Sequence, residues 1–405
     1  MADVQTTLLN TAGNDLSPEM KPYYDKALIH FAQPQLVHAK FGQKRNIPAN
    51  NGTEAAFRKF SPLPKALTPL TEGVTPAGNA LNVTKMSAKV KQYGDYITTS
   101  DILNLSSFDN IAEETQKVLG DQAGRTLDTV VKEIINAGTN VQYGNGKKVL
   151  RSALSGGEDT GNDYLTVDAV RAAVRTLKRN NTNPLKNGHY VAIIHPDVAY
   201  DLMADPEWQA VKAGCDPEDW YEGAIGRIAG VVFVESTEGK VFSCENLIAG
   251  SKKLTVSSVL NDTITVSELV TADEAAALVS RTLLIGSYEM EVTAATAGAA
   301  GAATVTVSVP SGVTLSSVIS AGGFLYAGEA GAKARDIYST LIIGADAYGV
   351  TNIEGGGLET IAKQAGSAGT SDPLNQRSTM GWKATQTACI LSPEFMVRIE
   401  TACSF

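Results

Sequence analysis

Two alternating runs separated by a proline-dense tip constrain this chain more than any other feature. From Asn51 the sequence carries Phe57 and Phe60 in one strand-like run, passes through SPLPKALTPLTEGVTPAGNA, and returns as LNVTKMSAKVKQYGDYITTSD, ending at Asp101. Proline and glycine interrupt ladder pairing and turn the chain, so the pattern predicts a projecting hairpin over residues 51–101. A two-stranded hairpin alone is marginal in water, because it has no second layer on which to bury a face. It needs a partner surface, supplied by its own chain or by another. Leu70, Glu72 and Val74 in the tip are the candidate contacts.

The segments around the hairpin follow from periodicity. Residues 1–50 mix Pro, Gln, Asn and short apolar groups and read as an extended arm, with a short helix over Pro22–Phe31. Phe108–Asn136 places Ile111, Val118, Ala123, Leu127, Val130, Ile134 and Ile135 along a helical stripe opposite a charged face. At about 1.5 Å per residue, such a helix is a strut of roughly 40 Å. Gly120 and Gly124 weaken it or permit a bend. A polar loop over 140–163 follows, then a helix to Arg179 capped by Thr166, a strand at His189–His195, a helix after Pro196 and a strand at Gly230–Glu235. This is a mixed αβ unit. Between Asn246 and Arg335, Ala, Thr, Val, Ser and Gly dominate and the sequence alternates, which predicts a small β-rich insertion. From Asp336 the αβ character resumes, closing on a strand pair within Met380–Glu400.

Length and charge narrow the function. At 405 residues the chain exceeds what one hydrophobic core supports, and 43% hydrophobic with 19% charged residues is a globular composition. A formal charge of −9 argues against a surface built to read DNA, since phosphate affinity comes from clustered Lys and Arg. Acidity still suits a container whose lining does not grip its contents. Cys215, Cys244, Cys389 and Cys403 form no CxxC pair, as in a reduced compartment. Neither an export signal at the N-terminus nor an 18-residue apolar run is present, so export by that route and membrane spanning are not expected.

Candidate chemistry is sparse. His195, followed by Pro196 and Asp197, ends an apolar strand where an αβ enzyme keeps working groups, yet no nucleophile elbow accompanies it, and a turn histidine is the simpler reading. YGNGKK at Tyr143–Lys148 lacks the Walker spacing, and Gly355–Gly357 lacks the dinucleotide pattern. Glu158, Asp159 and Asp163 lack the ordered calcium loop. No catalytic, cofactor-binding or metal residue is expected.

The arm, the Pro-tipped hairpin, the strut helix and the αβ unit with an insertion occur in an order that resembles the tailed-phage major capsid fold, an α+β architecture. TPLTEGVTP at Thr68–Pro76, QYGDYITTSD at Gln92–Asp101, HPDVAYDLMADPEW at His195–Trp208, DPLNQRSTMGWK at Asp372–Lys383 and the ending MVRIETACSF are similar to the podophage-type major capsid proteins of double-stranded-DNA bacteriophages. The resemblance implies an N-terminal arm (1–50), an extended hairpin loop (51–101) and a peripheral domain with a spine helix (102–165), completed by strands in 370–405. It further implies an axial domain (166–245 and 336–369) carrying the insertion (246–335). The implied function is an icosahedral shell of pentamers and hexamers around double-stranded DNA bound without sequence preference. Implied partners are a separate scaffolding protein, a portal at one vertex and a decoration protein, with no membrane. The implied location is the virion, after assembly in the bacterial cytoplasm. An encapsulin-like nanocompartment and a hydrolase using His195 are the rival readings. Arg377 and Trp382 are further candidate inter-subunit contacts, and Gly94, Gly120, Gly124 and Gly138 candidate hinges that would let one sequence meet two ring geometries.

Overall fold

The computed structural model describes residues 37–404 apart from 61–62, 64, 68, 70–71, 74–77, 107–110, 157–161, 186–187, 213–225, 245, 249–250, 269–270, 287, 299–302, 329–330, 332–334 and 368–373. The short helix read over Pro22–Phe31 lies outside these. The chain divides into two compact units, residues 1–137 with 346–393, and residues 138–345 with 394–405.

In the first unit the strands are β1 (Gln43–Lys44), β2 (Glu54–Phe60), β3 (Val83–Lys89) and β4 (Lys91–Ser100). They are followed by α1 (Asp101–Ser106) and the 26-residue α2 (Ile111–Asn136). The organising element is the 14-residue strand Arg377–Ile390, which pairs with β4 along one edge and with Tyr348–Thr351 and Glu359–Lys363 along the other. Helix α2 buries Leu119, Ala123 and Leu127 against Trp382 and Ala384 of that strand, with Val131 and Ile135 continuing the stripe. Every fourth residue from Leu119 to Ile135 is therefore buried, as side chains four apart share a helix face. Three of the expected seven, Ala123, Leu127 and Ile135, lie on that stripe. Val118 does not: it is 59% exposed, because the buried face is set by its neighbour Leu119.

Two other boundaries differ from expectation. The hairpin pairs β2 with β3, from Glu54↔Lys89 to Phe60↔Val83. At Val90, which is buried, the chain changes partner, and β4 joins the long strand instead of prolonging the hairpin. The closing segment also is not a strand pair. Arg377–Ile390 stays in the first unit, whereas Met396–Ala402 enters the second and pairs with Ile337–Ile343 over its whole length. Alternation marks both segments as strands but carries no information on which distant strand each one meets.

The second unit has a mixed sheet ordered Val141–Tyr143, Met396–Ala402, Ile337–Ile343, Tyr190–Ile194, Val231–Glu235, Arg227–Ile228. Helix α3 (Val167–Arg179) covers it with Val170, Ala173, Val174 and Leu177 against Ile342, Val397 and Ile399. Thr166 caps α3, its Oγ1 accepting from the Ala169 N–H (3.3 Å). The insertion is a closed barrel of six strands between Lys253 and Ala327, with its own core of Leu254, Val256, Ile264, Leu283, Val292 and Val305 among others. Its first and last strands pair at Lys253↔Tyr326, so the chain enters and leaves at one place, and closure removes free strand edges.

Candidate assembly surface

The hairpin is seated at its base and bare at its end. Ala55 and Phe57 of β2 and Ala88 of β3 pack with Ile47, Val90 and Leu391. Phe57 rests on Gly349, where an added Cβ would stand 2.6 Å from the ring, so only glycine admits this seat. Further along, the described large apolar groups are largely exposed: Phe60 is 58% exposed, Leu63 54%, Leu67 82%, Leu81 61% and Val83 48%. Scattered exposed apolar residues are ordinary, but a contiguous set on one projection marks an interaction surface.

The expected contact residues fall in different places. Leu70 and Val74 lie outside the described residues, and Glu72 is exposed in a turn. Arg377 is exposed at the start of its strand, opposite Ser100. Trp382 is 3% exposed and belongs to the core beneath α2, its Nε1 donating to Gln122 Oε1 (3.2 Å). The same Gln122 donates from Nε2 to Asp95 Oδ2 (2.7 Å), and this bond, with the Tyr96 N–H, holds the Asp95 carboxyl below its ordinary range. Leu63, Leu67, Leu81 and Val83 were not singled out from the sequence, and Phe60 was named only as part of the first strand-like run. Their position in and beside the proline-rich tip was the available signal.

Of the hinge candidates, Gly94 lies inside β4, where a Cβ would approach the Trp382 carbonyl oxygen to 2.6 Å, so close backbone packing accounts for it. Gly120 and Gly124 lie on the buried side of α2. Gly138 is the first residue of the second unit.

The arm is tied down where it enters the described region. The His38 backbone N–H donates to Asp128 Oδ1 (2.8 Å) on α2, and its Nδ1 stands 2.6 Å from Oδ2. The Tyr348 hydroxyl donates to the His38 carbonyl oxygen, and burial, then the Asp128 charge, pushes the phenol's pKa well up. These bonds hold His38 against α2 and against Tyr348 of the sheet.

His195 has a structural occupation. Its Nδ1 accepts from the Asp197 N–H (3.3 Å) and caps helix α4 (Pro196–Ala204). Asp197 Oδ2 in turn accepts from the Tyr338 hydroxyl (2.9 Å), whose pKa is raised by burial and then by that bond. Among the described residues no group of three or more His, Cys, Asp or Glu is placed to hold a metal ion, and no helix is long and apolar enough to cross a membrane.

Residues 83–237 match the family described as phage capsid protein. Over that span, under half of its length, the chain is similar to the phage capsid proteins. Its fold agrees: the capsid of the cyanophage P-SCSP1u superposes with a TM-score of 0.52 at 14% identity, over 88% of this chain and 85% of that one. The capsid of Ralstonia phage GP4 gives 0.50 at 11% identity, over 90% of each. At such identities the likeness is one of fold, and the fold is the α+β tailed-phage capsid architecture. No curated protein matches the chain in sequence. Among the described residues, this chain therefore carries a hairpin whose outer apolar side chains are exposed.

Proposed function

We propose that this capsid protein forms the icosahedral shell of a tailed phage from pentamers and hexamers, and that the β2–β3 hairpin makes the contact between subunits. The observation that carries this is the exposed run Phe60, Leu63, Leu67, Leu81 and Val83 on a stalk anchored by Phe57. Covering one such side chain contributes about 1.5–3 kcal/mol. One heterologous contact, repeated by rotation, closes into rings and lets a small gain per subunit accumulate over a shell.

The shell would enclose double-stranded DNA without reading its sequence, in keeping with a net charge of −9. A separate scaffolding protein, a portal at one vertex and a decoration protein are its proposed partners, and the host cytoplasm its place of assembly. The role is structural, with His195 occupied as a helix cap in place of the hydrolase role that was its rival. The double variant Phe60→Ser, Leu67→Ser tests the reading. It is expected to keep the wild-type circular dichroism while failing to form the closed particles that wild type gives in negative-stain micrographs when each is expressed together with the scaffolding protein of the same phage. Particles of normal size and yield from the variant would refute the hairpin contact.

A further inference from the structure

Net charge conceals a separation of charge along this chain. Residues 38–91 hold nine Lys and Arg against two acidic residues, a net +7, so the rest of the chain holds −16. The cationic stretch is the one that forms the arm segment and the hairpin.

Register places part of this charge where the chain itself does not compensate it. Arg58 and Lys85 are directly opposed across β2 and β3, and both are exposed. Side chains alternate faces along a strand, so this pair points away from the face on which Phe57 and Ala55 are seated. Like charges directly opposed destabilise a strand pair. Neither residue forms an ion pair among the described residues. The next residues outward on the same face are Phe60 and Val83, the exposed apolar pair. The free face thus offers an apolar contact bordered by two unmatched cations.

We propose that the surface this hairpin docks on is a carboxylate-bearing surface of a second copy of the chain, so that the attraction between copies is electrostatic and weakens with salt. The proposal rests on the hairpin being the inter-subunit contact and adds the chemistry of its partner. A cationic projection on an anionic body fits another such body and is repelled by another such projection. This favours head-to-tail association over pairing of two hairpins. Salt controls the strength, since the screening length falls from about 10 Å at 0.1 M to about 3 Å at 1 M.

Lys85→Glu in the full chain separates docking from folding. It places opposite charges across the strands, so the thermal midpoint is expected to stay at or above that of wild type. The concentration needed for assembly, followed by light scattering and sedimentation, is expected to rise about tenfold at 0.1 M NaCl, with little further rise at 1 M. Wild type is expected to lose assembly over the same salt range. Unchanged assembly and salt response in the variant would overturn the anionic partner while leaving the hairpin contact standing. A variant that assembles normally but retains less nucleic acid, read from the 260/280 nm absorbance ratio of the particles, would overturn it in favour of a phosphate partner. A wild-type chain that assembles at no salt concentration even with the scaffolding protein of the same phage present would overturn the contact itself, and this proposal with it.

Discussion

Glu400 holds a buried ion cluster in the second unit, and its replacement by Gln gives a sharp test. Its carboxylate is fully buried on strand Met396–Ala402. Arg151 reaches it twice, Nε to Oε2 at 2.6 Å and Nη2 to Oε1 at 2.9 Å. Arg398 Nε stands 2.8 Å from Oε1 but without hydrogen-bond alignment. The Arg151 guanidinium also lies over the Phe242 ring at 3.6 Å. Burial opposes the charge of Arg151, but the bond and charge of Glu400 outweigh it and raise its pKa. Glu400→Gln keeps the shape and leaves two partly buried guanidinium groups without their nearest counter-charge. Breaking a buried pair from one side costs about 3–5 kcal/mol, and each kcal/mol lowers the midpoint of a unit of about 200 residues by about 2–4 °C. Calorimetry should therefore show a fall of roughly 10 °C in the transition of the second unit. Arg171–Glu207 is the control, with the same 2.6 Å separation but both side chains near half exposed. Glu207→Gln there should cost about 0–1 kcal/mol. A shift below about 2 °C for Glu400→Gln, or equal shifts for both, would refute the argument that burial decides the strength.

Two further outcomes follow from the fold. Tyr348 has its pKa raised by burial, so its neutral form is favoured when folded; this stabilisation is intact below the unfolded tyrosine value and lost only as pH rises through the higher folded one. In an absorbance titration at 295 nm, Tyr348→Phe should remove amplitude only at the alkaline end, where the arm segment loosens, and a loss near pH 10 would contradict this. Replacing residues 253–327 by a linker of about three residues should leave the rest folded, because paired chain ends lie about 5 Å apart. Loss of the remaining near-UV circular dichroism beyond the barrel's share would show that the barrel supports the sheet it interrupts.

The legible parts of the structure were those encoded locally. Proline spacing and the alternation around Phe57 announced the hairpin, Thr166 announced a cap, and the Thr- and Val-rich alternation announced a β-rich insertion. Partner choice was not legible. Val118 and Leu119 are adjacent apolar residues a hundred degrees apart on a helix, and only the sheet carrying Trp382 decides which is covered. Trp382 itself reads equally as an anchor or a core residue until Gln122, far away in sequence, is seen to receive its N–H. For the same reason β4 looked like the hairpin's second arm, since its true partner begins at Arg377. Barrel closure through Lys253 and Tyr326 likewise leaves no local trace. The exposed end of the hairpin was legible as a region and not as residues, because exposure depends on what fails to pack against it.

The late position of strand Met396–Ala402 has a consequence for synthesis. It lies between Val141–Tyr143 and Ile337–Ile343, inside a sheet whose other members were made long before. A nascent chain can close the hairpin early, yet its second unit keeps an open slot until Met396–Ala402 emerges from the ribosome. A product that stops before Met396 therefore carries the hairpin together with an unfilled sheet, whose open backbone groups expose it to proteolysis.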